Sequence, residues 1–259
     1  MLNFHDLEED LRLELADDSL CLEREVFGGI VNKAAHFRSV KTGQSFLVKL
    51  HAFNDELVHK KTVCESRVHY KGDKSGLTGT IKFGSDFDHF IGTFRTGQMW
   101  RDTWQEYFIG DILQPLMSGL QTKYSDRTLS EKWAWLQRYI PKVFEKESLT
   151  PAINHGDLCL ANFGQTEKGP VVFDPSVLYG HCQFDLILSY LEEAFDEQFF
   201  QEYHKIIPKS SRCNDFLLVY EFFYHAVMWY HIDDVKYQCS THSSADRVKD
   251  MLQKQYITT

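Results

Sequence analysis

Hydrophobic and polar positions change rhythm along this chain. Leu7, Leu11 and Leu15 recur every four residues among acidic neighbours, which predicts an amphipathic helix within residues 1–20. From residue 25 the pattern shortens. Glu25-Val26-Phe27-Gly28-Gly29-Ile30-Val31-Asn32 predicts a strand, a glycine turn and a returning strand, and Ser45-Phe46-Leu47-Val48-Lys49-Leu50 predicts another strand. Val58, Val63 and Val68 lie in a charged stretch, 54–68, that predicts a helix. Residues 70–79, rich in Gly, Lys and Ser, predict a linker. Beyond it, residues 100–120, 128–147, 181–202, 214–231 and 243–255 read mainly as helices, the first kinked or ended by Pro115. Residues 216–232 are the most apolar, yet Glu221 and His225 interrupt them and they fall short of the roughly 20 residues a membrane span needs, so they predict a buried core helix. The order is α+β: a small β-rich lobe, residues 1–80, then a larger helical lobe, residues 81–259.

Composition changes this picture little. Apolar residues at 43% and charged residues at 25% suit a globular chain with a real core. The net charge of -9 argues against nucleic-acid or membrane-surface partners, which call for basic patches. Six cysteines are scattered without a C-x-x-C pair, so neither a zinc site nor a disulfide framework is predicted, and reduced thiols in a cytoplasmic protein are expected. The N-terminal stretch has no apolar signal core.

Chemistry concentrates in residues 153–175, INHGDLCLANFGQTEKGPVVFDP. Asp157 and Asn162, followed by Asp174 just past an apolar strand, match the order of base, metal ligand and second metal ligand in phosphoryl-transfer enzymes. A hairpin centred on Lys168 places Asn162 opposite Asp174. Opposed residues hold their Cβ atoms about 4.5–5.5 Å apart, near enough for both side chains to converge on Mg²⁺, whose oxygen ligands lie at about 2.0–2.1 Å. Asp157, at the start of the loop, is placed to accept the proton of an attacking hydroxyl. His155 is expected to support the loop, and Cys159 to pack within it.

These residues resemble the fructosamine/ketosamine kinase family, a branch of the aminoglycoside phosphotransferase and choline kinase group. The resemblance runs through residues 82–210. It rests on the 153–175 stretch, on Tyr179-Gly180-His181, on Trp100 and Trp104 with Tyr107-Phe108 and Gln114-Pro115, and on Lys82-Phe83-Gly84. It implies a two-lobed, protein-kinase-like fold and transfer of the ATP γ-phosphate to the C3 hydroxyl of a ketosamine, on a glycated protein lysine or a small molecule. It further implies Asp157 as base, Asn162 and Asp174 as Mg²⁺ ligands, and Gly28 and Gly29 as the turn over the phosphates. Lys49 would contact ATP, held by Glu65, and Trp100 and Trp104 would shape the acceptor side. The interval from Lys49 to Lys82 is short for the strands and adenine-binding hinge of such a fold, so the N-terminal lobe reads as shortened. Two other readings stay open: a catalytically silent binding module, and a kinase for a free amine such as an aminoglycoside. Oligomeric state has no signal in the sequence.

Overall fold

The computed structural model describes residues 8–14, 16–26, 32–43, 45–51, 81–86, 89–97, 99–166, 169–193 and 195–257. The chain forms two compact units, residues 1–58 and 59–259. The described part of the first is mostly strand and that of the second mostly helix, the α+β class that the sequence predicts. The boundary expected at residue 80, the helix at 54–68 and the linker at 70–79 lie outside the described residues.

In the first unit, helix α1 (Glu8–Glu14) precedes an antiparallel sheet of β1 (Leu20–Val26), β2 (Asn32–Ser39) and β3 (Ser45–His51), in that order. The helix is shorter than the 1–20 expected. Ala16 takes a left-handed backbone at φ 50°, and the Asp17 carboxylate accepts the Ser19 N–H at 3.0 Å. An aspartate bonded to the backbone two residues on favours a turn over a continuing helix. The Arg12 Nε donates to the Leu20 carbonyl at 2.7 Å, tying α1 to the sheet.

The second unit opens with strands β4 (Phe83–Gly84), β5 (His89–Ile91), β6 (Phe94–Gly97) and β7 (Trp100–Arg101). Helices α2 (Glu106–Leu113), α3 (Gln114–Tyr124), α4 (Arg127–Tyr139) and α5 (Pro141–Phe144) follow. Next come β8 (Ala152–Asn154), β9 (Phe163–Thr166), β10 (Gly169–Val172) and β11 (Leu178–Gly180). The unit ends with α6 (Ile187–Leu191), α7 (Glu197–Ile206), α8 (Cys213–His231) and α9 (Val235–Gln255). Strands β7, β4, β11 and β8 form one sheet in that order, while β5–β6 and β9–β10 are separate hairpins.

Three helical expectations need correction. Residues 100–120 begin as strand, and Pro115 does not end the helix that follows. The Gln114 N–H reaches back five residues to the Ile109 carbonyl at the end of the widely wound α2, and normal winding resumes in α3. Pro115 sits at that change of register, where its missing N–H is tolerated. Residues 181–202 are broken into turn, α6 and α7. Glu193 adopts φ 49°, and Asp196 starts α7 afresh by accepting the Phe199 N–H at 2.9 Å. Helix α9 begins before residue 243 because Asp234 caps it, accepting the Lys236 N–H at 2.7 Å.

The core is built round α8. Phe216, Val219, Tyr220, Phe222, Phe223, Ala226 and Val227 are all buried, as the apolar run over 216–232 predicts for a helix covered on most sides. Trp104, Phe108 and Phe184 pack against them, with the Trp104 and Phe108 rings stacked at 5.4 Å. Among the described residues no helix is long and apolar enough to cross a membrane.

Candidate active site

Strand β8 ends at Asn154, which is buried and donates from Nδ2 to the His181 carbonyl at 3.0 Å. The chain then turns out of the sheet through Gly156, at φ 79°. A Cβ there would lie 1.8 Å from the Ser176 carbonyl oxygen, so the turn requires glycine. Asp185, thirty residues on, clamps this turn. Its Oδ2 accepts the His155 N–H at 2.7 Å and its Oδ1 the Gly156 N–H at 2.8 Å. The sequence reading passed over Asp185. An acid in the apolar context Phe184-Asp185-Leu186-Ile187 was the available signal, since a carboxylate in such company needs donors. Burial raises the pKa of the Asp185 carboxyl, and the two N–H bonds offset that rise only in part.

His155 lines the inside of the loop. Its Nε2 is 3.0 Å from the Phe173 carbonyl, and its Nδ1 accepts the Asp157 N–H at 3.4 Å. A carbonyl cannot donate, so Nε2 carries the proton and the ring is neutral. Burial lowers its pKa, in keeping with that tautomer, although the Asp185 charge acts the other way. His155 therefore supports the loop, as expected of it. Asn162 is buried and its Nδ2 donates twice to Asp157, at 2.8 Å to the carbonyl and 2.9 Å to Oδ2. The loop is also held from outside, where the Leu160 N–H donates to the Glu192 carboxylate at 2.8 Å. Burial pushes the half-buried Cys159 thiol up to about 12.

The hairpin exists, but its register differs by one residue from the one expected. Phe163 pairs with Val172 and Thr166 with Gly169. The Phe173 N–H then donates to the Asn162 carbonyl at 2.9 Å, so Phe173, not Asp174, stands opposite Asn162. A slip of one residue sends side chains to the opposite face. Asp174 has a left-handed backbone, φ 60°, and so departs from that alternation at the end of the ladder. Its charge acts on His155, in the direction that raises the ring's pKa.

The carboxylates of Asp157 and Asp174 and the amide oxygen of Asn162 are hard oxygen donors. No group of three or more His, Cys, Asp or Glu in metal-holding geometry occurs among the described residues. Oxygen donors of this kind fit Mg²⁺, which commonly takes one or two carboxylates and completes its shell with phosphate and water. Lys49 lies on β3 opposite Ala34. Gly28, Gly29 and Glu65 are outside the described residues.

Trp104 is a core residue. It is 1% exposed, and its indole N–H donates to the Tyr220 hydroxyl at 2.8 Å, which in turn lies 2.7 Å from His181 Nδ1. The Tyr220 oxygen accepts from the indole and also pairs with His181, whose pKa burial lowers to about 3. Trp100 is half-buried beside Tyr179, ring centres 5.7 Å apart, and lines a cavity of about 540 Å³ with Arg101, Gln105 and Glu106.

Comparison with known proteins agrees with this architecture. Residues 66–252, well over half of the chain, match the family model described as fructosamine kinase. A ketosamine-3-kinase of Mus musculus is 30% identical over 71% of this chain and 60% of its own length. A chloroplastic protein-ribulosamine 3-kinase of Arabidopsis thaliana is 28% identical over 69% of this chain and 54% of its own. The chain thus spans little more than half the length of these relatives. A crystal structure provisionally assigned as a fructosamine-3-kinase from Haemophilus somnus 129PT aligns with a TM-score of 0.74 at 16% identity, covering 93% of this chain and 96% of that one. Such a likeness shows the fold, and with the family match it establishes that the chain belongs to the fructosamine kinase family.

Proposed function

We propose that the chain is an ATP-dependent ketosamine kinase that phosphorylates the C3 hydroxyl of a fructosamine or ribulosamine on a glycated lysine, releasing the lysine once the phosphorylated sugar falls away. The observation that carries this reading is the Asn162 amide clasping Asp157 within a loop clamped by Asp185. Phosphoryl transfer asks a protein mainly for positioning and charge neutralisation, and this loop supplies a positioned carboxylate. The named kinase activities of the mouse and Arabidopsis relatives support the same assignment.

In this reading Asp157 orients the acceptor hydroxyl and takes its proton. Asn162 holds that carboxylate through Nδ2, and its amide oxygen would bind the cation. Asn162 and Asp174 would hold Mg²⁺, which when bound neutralises the charge of the ATP phosphates. The family resemblance alone supports ATP-contacting roles for Lys49, Glu65, Gly28 and Gly29. The neutral His155 fixes the loop without adding positive charge beside Asp157.

The test has two arms. Asp157→Asn should lower kcat on glycated lysine by about 10²-fold or more, the low end of what a general base contributes. Asp174→Ala should abolish Mg²⁺-dependent ATP binding measured by calorimetry. Unchanged turnover in the first variant would remove Asp157 from the chemistry. A second reading, a silent kinase-like module, draws on the short interval between Lys49 and Lys82. It requires a folded wild-type protein that binds no Mg·ATP in the same calorimeter.

A further inference from the structure

Ser176 follows Asp174 by two residues and makes three separate contacts. Its N–H donates to the His155 carbonyl at 2.7 Å. Its carbonyl oxygen fills the space that a side chain on Gly156 would need. Its hydroxyl donates to the Phe90 carbonyl on β5. The first two contacts join the segment carrying Asp174 to the loop carrying Asp157. The third joins both to the β5–β6 hairpin, and a backbone oxygen accepts that bond, so its position is set by the hairpin as a whole.

The hairpin is fixed independently at its far end. The Thr93 N–H in its turn donates to His231 Nε2 at 2.9 Å, and His231 Nδ1 lies 2.8 Å from the Val227 carbonyl one turn back in α8. The turn passes close, since a Cβ on Gly92 would sit 2.6 Å from His231 Nε2. Phe94 adds an edge-on contact to Tyr230, ring centres 5.4 Å apart. Within the hairpin, His89 and Thr96 are both buried and bond to each other at 3.1 Å. A strap anchored to the core helix α8 thus reaches Ser176, just past Asp174, and through it the turn that leads into Asp157.

We infer that Ser176 is a positioning residue for phosphoryl transfer. Its hydroxyl hangs the Asp174 segment and the His155–Gly156 turn on the β5–β6 hairpin. This rests on the kinase reading for its effect on turnover, but the strap itself is a statement about the unliganded protein. Loss of an outer partner that orients a metal ligand typically costs about 10- to 100-fold in metal affinity or activity.

Ser176→Ala keeps both backbone contacts and removes the hydroxyl alone. In unliganded protein, hydrogen exchange should speed up over residues 153–158 and 173–177 and stay unchanged in α4 and α9. The Mg²⁺ concentration giving half-maximal ATP binding should rise about 10-fold, kcat should fall with KM for the glycated acceptor unchanged, and Ser176→Thr should recover most of both. Exchange that matches wild type, or that rises throughout residues 59–259, overturns the inference. Faster local exchange in a protein that binds no Mg·ATP would leave the strap standing and overturn the kinase reading instead.

Discussion

A single methyl group tests the loop at residue scale. Gly156→Ala would place a Cβ against the Ser176 carbonyl and force a left-handed φ on a residue that resists it. Such strained backbone costs about 1–3 kcal/mol, and here the strain falls between His155 and Asp157. Turnover should therefore drop by far more than the urea midpoint moves, which parallel kinetics and denaturation on one preparation would show. Cys159 sits in the same loop and invites a redox interpretation, but its thiol stays protonated because burial pushes it up to about 12. Thiolate is the reactive form. Iodoacetamide at pH 8 should label the exposed Cys239 well before Cys159; peptide mapping that finds equal rates would contradict this assignment.

Elements decide where those residues point. Asp185 stands just ahead of α6 and satisfies two backbone N–H groups of a loop thirty residues earlier. Asp185→Ala leaves both donors unpaired, at about 1–3 kcal/mol for each buried group, and should cost activity even where the fold survives. Asp185→Asn keeps one acceptor and should fall between wild type and alanine in kcat. The hairpin shows how far sequence alone reaches. Turn residues and flanking apolar positions located β9 and β10, and the Asp157–Asn162–Asp174 order pointed to the candidate site. The register was out of reach, because β10, with Val171 and Val172 exposed, has no buried face to set it. Aspartate tolerates the left-handed backbone that breaks the alternation at Asp174, but the residue type does not say which aspartate takes it. Asp185 escaped for a related reason: its partners are main-chain groups, and a sequence does not show which N–H groups a turn leaves unpaired. The same limit explains Pro115, whose effect depends on the winding of the turn before it.

Across the whole molecule, several histidines are kept neutral by burial. His181 is the extreme case, lowered to about 3 from an ordinary 6.5, and burial moves His155, His225 and His231 in the same direction. In the unfolded chain these rings take up protons below about pH 6.5, whereas the folded chain refuses them. Their contribution is complete above pH 6.5 and shrinks as pH falls toward 3, because the unfolded state then binds more protons. The urea midpoint should decline between pH 7.5 and 5, and His181→Gln should flatten that slope. A midpoint indifferent to pH over this range would show that these rings are not held neutral.

Trp104 and Tyr220, which share a buried hydrogen bond, are separated by 116 positions. A ribosome delivers the indole first. At about 5–20 residues per second the phenol arrives roughly 6 to 23 seconds later. Through that interval Trp104 and Phe108 wait with no α8 to cover them, and the residues of the candidate site emerge before the helix that anchors their strap. The site is therefore made midway through the unit yet is among the last parts of it to take shape, and a chaperone that shields aromatic rings would find its client in the half-made chain.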